Sequence, residues 1–287
     1  MYIQHFGLAQ YPFSLTPNTR YFMKLPSHQH AFDLIIKALQ DEGSFTKITG
    51  QVGTGKTMLC RKVLNALEVL KDSYVTAFIP NPVLDEEGIM FAVANELSLE
   101  IDSSANYYNL LKLVSEELIR LSQQGKTTIL FIDEAQAMPE EALEAIRLLT
   151  TVETGDSGRL PLRVILFGQP ELEDLLDRPA LSELRRNLNV SAQLAALDRD
   201  GVEAYITHRL MKAGFNGPSP FSGKAVDALY RSSKGVPRLI NILAHKALMV
   251  AFGKGDYSLT EKHVELAVED TESVQPPTSR SNRLFST

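Results

Sequence analysis

The stretch Gly50-Gln51-Val52-Gly53-Thr54-Gly55-Lys56-Thr57 decides the fold, because it fits the pattern G-x-x-x-x-G-K-[ST]. The β-prone run 45–49 precedes it, and a helical pattern with Leu59, Val63 and Leu67 on one face follows it. A loop between a strand and a helix is the context in which this pattern binds phosphate. The sequence therefore predicts a nucleotide site rather than a chance glycine-rich turn.

The predicted phosphate loop brings several sources of positive charge together. Its glycines allow successive backbone N–H groups to turn toward phosphate oxygens, and the start of the following helix adds partial positive charge. Lys56 is expected to reach the β and γ phosphates, and the Thr57 hydroxyl to ligate Mg²⁺. The expected ligands are ATP or ADP with Mg²⁺. The predicted nucleotide-binding residues are Gly50, Val52, Gly53, Thr54, Gly55, Lys56, Thr57 and Met58.

A second strand pattern supplies the acidic partners of this loop. Residues 127–132 are apolar without alternation, which is typical of a strand buried on both faces of a parallel sheet. Asp133 and Glu134 follow directly. We predict that Asp133 and Thr57 hold the metal ion and that Glu134 polarises the attacking water. An exposed acidic loop is the alternative, but the strand before it favours hydrolysis over nucleotide binding alone.

Further polar residues are candidates for the phosphate end of the site. Gln169 follows the strand pattern 162–167 and is either a contact to the γ-phosphate or water, or a loop-capping amide. Arg238 opens a helix of the C-terminal part and is expected to fold over the phosphates. Arg185 and Arg186 are either a finger donated to a neighbour's site, which requires an oligomer, or a surface charge pair. The predicted catalytic set is Glu134, Gln169, Arg186 and Arg238.

Strand patterns alternate with helix patterns up to about residue 197, and only helices follow. This order predicts an α/β fold, in which a parallel five-stranded sheet flanked by helices precedes a small all-helical domain. We place the nucleotide-binding domain at 1–197 and the helical domain at 198–270, with a single helix over 171–186. The aromatic and proline-rich N-terminal segment is expected to be extended, and either covers the core or walls the adenine pocket. Residues 271–287 are expected to be a disordered tail.

Composition and charge narrow the class of protein. The 287 residues are 44% hydrophobic and 22% charged, as in an ordinary globular protein. No run approaches the roughly 18 apolar residues of a membrane span, and the N-terminus lacks a signal-peptide pattern. A soluble cytoplasmic protein is therefore expected. The net charge of −6 argues against tight non-specific binding of nucleic acid.

Cysteine and histidine usage excludes other kinds of site. The single cysteine, Cys60, fits a reducing compartment and is either a packed helix residue or a thiol whose alkylation blocks nucleotide entry. The six histidines show no zinc-ligand spacing. We expect no metal cluster.

Together, these motifs resemble the AAA+ branch of the P-loop ATPases (ASCE type), and within it the family of general secretion pathway protein A. The resemblance covers about residues 1–270 and implies an AAA+ sheet domain with a helical lid domain. Besides the phosphate loop, it rests on Phe6-Gly7-Leu8, Pro12-Phe13, Pro26-Ser27-His28, Phe131-Ile132-Asp133-Glu134-Ala135-Gln136, Leu166-Phe167-Gly168-Gln169-Pro170-Glu171-Leu172 and Gly235-Val236-Pro237-Arg238-Leu239-Ile240-Asn241.

The resemblance implies a homo-oligomeric ATPase that drives assembly of a type IV-like (MSHA) pilus or a type II secretion-related machine. Its partners would be assembly proteins at the inner membrane, where the chain would sit peripherally. Longer members continue into a membrane helix and a peptidoglycan-binding domain. Because this sequence ends at Thr287, we expect no wall binding, and the short pilus-type members are the better match. Family members tend to have Gln-Arg-Ile before the fifth strand, whereas this sequence has Leu184-Arg185-Arg186-Asn187-Leu188, so the finger assignment is open by one residue.

Two alternatives remain. A DNA-associated AAA+ ATPase of transposition or replication would use its helical domain on nucleic acid, but the acidic balance and the lack of a Lys/Arg-rich face disfavour it. A nucleotide-gated scaffold without turnover would use ATP only to select a conformation. Glu134 disfavours that second alternative.

Overall fold

The computed structural model of the chain describes residues 2–16, 18–40, 43–102, 105–152 and 160–271. The strands are β1 (Phe45–Gly50), β2 (Tyr74–Ile79), β3 (Thr127–Ile132), β4 (Leu162–Gly168) and β5 (Leu188–Leu194). The helices are α1 (Tyr2–His5), α2 (Pro26–Ala38), α3 (Lys56–Leu67), α4 (Glu86–Glu96), α5 (Tyr107–Gln123), α6 (Glu140–Thr150), α7 (Glu171–Leu176), α8 (Ser182–Arg186), α9 (Arg199–Lys212), α10 (Gly223–Ser233), α11 (Pro237–Lys254) and α12 (Glu261–Glu269).

The strands form one parallel sheet in the order β2-β3-β4-β1-β5, which confirms the predicted α/β fold class. The central strands β3, β4 and β1 are neighbours, with Leu130 opposite Val164 and Val164 opposite Phe45. The carboxyl ends of parallel neighbours meet at one edge of a sheet, which is where ligands bind in open α/β folds. The residues that follow these three strands are therefore brought together.

Both faces of β3 are buried. Leu130 and Ile132 of β3 belong to a core cluster that includes side chains of α4, α5 and α6. Ile129 and Phe131 are also fully buried, and successive side chains of a strand point to opposite faces. α3 packs against β1, β2 and β4. Burial on both faces explains why 127–132 is apolar without alternation.

The sequence pattern predicts one helix over 31–39 and another over 171–186, but prolines set different bounds in both places. α2 begins at Pro26, because the first turn of a helix tolerates a residue without an N–H group. The single helix expected over 171–186 is instead two helices, α7 and α8, separated by a 3₁₀ turn at Pro179–Leu181. The prediction of one helix was wrong, because a proline in a helix interior removes a hydrogen bond and clashes with the preceding turn.

The chain divides into two compact units. One is Lys24–Ala195, which contains the sheet; the other comprises Met1–Met23 and Ala196–Thr287, within the described ranges. The second unit, hereafter the helical unit, contains α1 and α9–α12. Val202, Leu243 and Val264 are fully buried within it. In the described part of the chain, no helix is both long and apolar enough to cross a membrane. The expected tail lies almost entirely outside the described residues.

The N-terminal segment packs in the helical unit rather than in the sheet unit, where its sequence position had placed it. Its aromatic residues find apolar surface there. The Tyr2 hydroxyl is hydrogen-bonded to Nδ1 of His245 on α11 (2.8 Å), and the Phe13 ring packs edge-on against Phe221, with ring centroids 6.0 Å apart. The segment also begins with the short helix α1 and is not wholly extended. It thus forms part of the core of this unit.

Candidate active site

The phosphate loop follows β1 and ends where α3 begins. Gly53 and Gly55 have φ angles of +84° and +105°, in the left-handed region that favours glycine. The backbone N–H and the hydroxyl of Thr54 both donate to the Gln51 carbonyl, at 3.2 and 2.8 Å. These two hydrogen bonds close the turn. The predicted loop thus has the glycine conformations that its pattern requires.

Lys56 is the first residue of α3 and its side chain is buried. Its Nζ donates to the carbonyl oxygens of Gly50 (2.8 Å) and Gln51 (3.3 Å). Burial lowers the pKa of the Lys56 ammonium, and the nearby Glu134 and Asp133 carboxylates oppose this shift. A buried cation at the start of a helix, above a glycine-rich turn, is suited to bind phosphate oxygens.

Thr57 and Asp133 meet at the carboxyl edge of the sheet, where Thr57 follows β1 and Asp133 follows β3, the two strands that flank β4. The Thr57 hydroxyl donates to Oδ2 of Asp133 at 2.5 Å, and Asp133 is only 3% exposed. Burial raises the pKa of Asp133, while the hydrogen bonds from Thr57 and from the Glu134 N–H (3.1 Å) oppose that rise. One hydroxyl and one carboxylate oxygen form the hard donor set that Mg²⁺ prefers. Among the described residues, no group of three or more His, Cys, Asp or Glu is arranged to hold a metal ion.

Glu134 is held by two amide side chains. Its backbone lies in the left-handed region (φ +54°, ψ +37°), which is uncommon for a residue with a side chain. Its Oε2 accepts hydrogen bonds from Nε2 of Gln136 (2.8 Å) and Nε2 of Gln169 (3.1 Å). Burial raises the pKa of Glu134, but these amide bonds and Lys56 outweigh it, so the pKa lies below its usual value. The carboxylate is ionised at neutral pH and can accept a hydrogen bond from water.

Gln136 links the residues that follow β3 to the residue that follows β4. Besides donating to Glu134, its Oε1 accepts from the backbone N–H of Gln169 at 2.9 Å. The sequence motif contains Gln136, but sequence reasoning assigned it no role. The missed signal is its spacing, two residues after the acidic pair, which places the amide beside the end of β4 once the chain turns at Glu134.

His28 is a second residue that sequence reasoning missed. It lies on α2, is buried, and its Nε2 is 2.9 Å from the Thr54 carbonyl oxygen of the phosphate loop. The available signal was the Pro26-Ser27-His28 segment immediately before the helix that leads into β1.

The remaining predicted residues lie on the phosphate loop, on α3 and on exposed helix surfaces. Val52 is 55% exposed on the loop, and Met58 lies in the first turn of α3. Arg186 is exposed on α8 and pairs with Glu183 of the same helix (2.7 Å), as the surface-pair alternative expects. Arg185 pairs with Asp177. Arg238 is an exposed residue in the first turn of α11. Contacts of Arg186 or Arg238 with nucleotide remain predictions.

Cys60 lies in the second turn of α3 and is fully buried. Burial raises the pKa of its thiol, which disfavours the reactive thiolate. These observations support the packed-residue interpretation over a thiol open to alkylation.

Comparison with known proteins identifies relatives of this chain. Residues 39–176 match the family described as an AAA domain. The chain is 37% identical over 275 residues to general secretion pathway protein A of Aeromonas hydrophila. That alignment covers 96% of this chain and 49% of the relative, so the chain spans about half the length of that protein.

Solved structures with the same fold come from several other proteins. The Aeropyrum pernix ORC2 protein in its ADPNP–ADP complexes is 16% identical with a TM-score of 0.65, over 93% of this chain and 73% of that one. CDC6P from Pyrobaculum aerophilum is 15% identical with a TM-score of 0.67, over 90% and 70%. The Thermotoga maritima RuvB Holliday junction branch migration motor is 18% identical with a TM-score of 0.58, over 91% and 73%. At these identities the likeness concerns the fold alone. The chain therefore has the fold of the AAA+ P-loop ATPases, with a match to an AAA domain at residues 39–176.

Proposed function

We propose that this chain hydrolyses ATP to ADP and phosphate with Mg²⁺, and that the cycle drives assembly of a secretion or pilus machine. The observation that carries the hydrolysis is the arrangement at the carboxyl ends of β1, β3 and β4. There, the Thr57 hydroxyl lies on Asp133, and the next residue, Glu134, is held by two amides. A binding module needs the phosphate loop, but it has no need for an oriented, ionised carboxylate beside it.

Thr57 and Asp133 would hold the metal ion. Their oxygens already converge within 2.5 Å, and Asp133 is buried at the end of β3. The ion they hold would supply positive charge that offsets the negative charge developing on the phosphates. In this proposal Lys56 and the loop N–H groups orient the phosphates.

Glu134 would position the attacking water. The Gln136 and Gln169 amides restrain its carboxylate, and both donate to the same oxygen, Oε2. Its other oxygen, Oε1, is thus the natural acceptor for water. Phosphoryl transfer depends chiefly on positioning and electrostatics, so a restrained acceptor is an appropriate device. Gln169 would also contact the γ-phosphate, because it directly follows β4, the strand next to β3.

The link to secretion rests on the 37% identity to general secretion pathway protein A, which covers nearly all of this chain. On this proposal the chain assembles as a homo-oligomer and acts at the inner membrane through partner proteins of a type II secretion-related or MSHA-type pilus machine. Arg186 would reach a neighbour's site. Arg238 would report nucleotide state to the helical unit, which would act as the lid domain.

The test is phosphate release from ATP with Mg²⁺ by wild type, Glu134→Gln and Lys56→Ala, with sedimentation of the same samples. Loss of the positioned base is expected to lower turnover about 10²–10⁴-fold. Glu134→Gln should retain ATP binding and ATP-driven assembly, whereas Lys56→Ala should lose ATP binding. Glu68→Gln and Lys71→Ala, on exposed residues of the same unit, are the matched controls and should behave as wild type.

Other outcomes would replace this proposal. Wild type that binds ATP and assembles without releasing phosphate would be a nucleotide-gated scaffold. Binding to duplex DNA with a steep salt dependence, together with DNA-stimulated turnover, would favour the DNA-associated alternative.

A further inference from the structure

His28 contacts the phosphate loop from a helix that lies outside the matched AAA domain. α2 ends at Ala38, and the match begins at residue 39. The His28 side chain is 4% exposed, and its Nε2 is 2.9 Å from the Thr54 carbonyl oxygen. Because a carbonyl oxygen only accepts, Nε2 carries the hydrogen and donates. This helix therefore supplies a donor to the middle of the phosphate loop.

The tautomer required for this bond has further support. The Ser27 hydroxyl lies 3.3 Å from Nδ1 of His28 and can donate to it. Burial lowers the pKa of His28, and the bond to the Thr54 carbonyl only partly opposes that shift. The imidazole is thus neutral at pH 7. Its Nε2–H faces the loop, and its Nδ1 acts as acceptor.

The hydrogen bond from His28 to the Thr54 carbonyl also fixes the direction of the Gly55 N–H group. The Thr54–Gly55 peptide is trans, and in a planar trans peptide the C=O and N–H groups point in opposite directions. When His28 holds the Thr54 carbonyl, the Gly55 N–H must point away from His28. Peptide flipping would turn the Thr54 carbonyl away from Nε2 and break this bond.

Packing at Gly55 restricts the loop in the same way. Gly55 has a φ of +105°, and a Cβ added there would lie 2.9 Å from Nε2 of His28. The imidazole therefore rests against the bare Cα of this glycine. The left-handed conformation of Gly55 and the position of His28 depend on each other.

We propose that His28 is a positioning residue that sets the Thr54–Gly55 peptide with its N–H group directed at the nucleotide phosphates. The inference rests on the proposed function to the extent that the loop binds ATP. His28 itself contacts no reacting atom. It reduces the cost of ordering the loop on binding, so its contribution belongs to affinity rather than to the chemical step.

The experiment measures the Kd of ADP and of ATP by titration calorimetry for three variants and wild type. His28→Leu keeps similar volume but removes the donor, and should raise both Kd values about fivefold, since a hydrogen bond contributes about 1 kcal/mol. His28→Gln keeps an N–H donor at similar reach and should stay within about threefold of wild type. His30→Leu, on the exposed face of the same helix, is the matched control and should leave both values unchanged.

Kinetics and a milder variant complete the test. His28→Leu should raise KM with kcat nearly unchanged, because the phosphates are held alike in the ground and transition states. Ser27→Ala, on a half-buried residue, keeps the fold and should weaken ADP binding about twofold through the tautomer alone.

Two results would overturn the inference. Equal losses of affinity and thermal stability in His28→Leu and His28→Gln would reduce His28 to packing. Unchanged affinity in His28→Leu would remove its role altogether. Both results are read from nucleotide affinity and not from turnover. A wild type that binds ADP but releases no phosphate would therefore refute the proposed hydrolysis, while the binding data would still test the role of His28.

Discussion

Gln136 contacts both polar residues that we assign to the hydrolytic step. Its Nε2 donates to Glu134, and its Oε1 accepts from the Gln169 backbone N–H. Glu134 lies in an uncommon left-handed conformation, where its side chain direction depends on such contacts. At the residue scale, Gln136 is thus the restraint that connects the carboxylate to the end of β4.

We predict that Gln136→Ala lowers kcat for ATP about tenfold and leaves KM within about twofold of wild type. The loss of one amide donor frees the carboxylate to rotate, and a hydrogen bond to a charged group contributes about 1.5–3 kcal/mol. Steady-state phosphate release measures both constants. Gln123→Ala, on an exposed residue at the end of α5, is the control. A rise in KM at constant kcat would show that Gln136 serves nucleotide binding instead.

At the same scale, residues in a motif of fixed spacing could be predicted from the sequence, whereas residues whose roles depend on tertiary packing could not. Lys56, Thr57 and Asp133 were predictable because their roles follow from fixed spacing after a strand. The roles of Gln136 and His28 were not, because they depend on a left-handed turn and on a helix packed against the loop. Neither feature has a local sequence period. Arg186 and Arg238 are exposed side chains, and the roles assigned to them stay predictions.

At the scale of elements, β1 carries a lysine at its centre. Lys47 is 5% exposed, lies between Leu166 of β4 and Ser191 of β5, and pairs with Glu173 of α7. Glu173 is itself 43% exposed. The pair joins β1 to α7, the helix that follows Gln169. Its two partners are not equivalent, because only the lysine is buried.

We predict that Glu173→Gln lowers the free energy of unfolding by about 1–2 kcal/mol, since it leaves a buried ammonium without its carboxylate; the exposure of Glu173 keeps the loss below that of a fully buried pair. Lys47→Met should cost less than Glu173→Gln, because an apolar chain of similar length suits the same space. Urea unfolding measures both, with Glu265→Gln as an exposed control. A larger loss in Lys47→Met would refute this reasoning.

The elements themselves were largely predictable. The bounds of β3 follow from a short apolar run, and the parallel sheet follows from alternation of strands with helices. The start of α2 and the break between α7 and α8 were missed, because both depend on how a single proline is accommodated at Pro26 or Pro179. The sequence pattern at these positions permits either a boundary or a continuous helix.

At the scale of the whole molecule, the helical unit is built from both ends of the described chain. Arg209 of α9 is 6% exposed and donates to the carbonyl oxygens of Pro12 (2.7 Å) and Ser14 (3.0 Å). Its guanidinium also lies over the Tyr21 ring, 4.6 Å from the centroid. The aromatic residues of the segment indicated burial, but the sequence alone did not indicate against which core.

We predict that Arg209→Met releases the N-terminal segment and lowers the stability of the helical unit by about 2–3 kcal/mol, because two backbone carbonyls lose a charged donor. Limited proteolysis should then cut within residues 2–23 at least about tenfold faster than in wild type. Arg231→Met removes an exposed ion pair with Glu261 and should change neither property. Unchanged cleavage in Arg209→Met would mean that aromatic packing alone holds the segment.

The burial of Cys60 means that the rate of thiol labelling reports how often α3 opens. It is the single cysteine of the sequence, and a thiol-specific reagent reaches it only when α3 leaves the core. The rate of labelling in native buffer therefore counts opening events of the nucleotide-binding unit, with no engineered probe. Slower labelling of Cys60 in the presence of nucleotide would show that the bound ligand lengthens the time between these opening events. Because the buried Cys60 does not react in the folded chain, a thiol-reactive dye would label a cysteine introduced at the surface selectively.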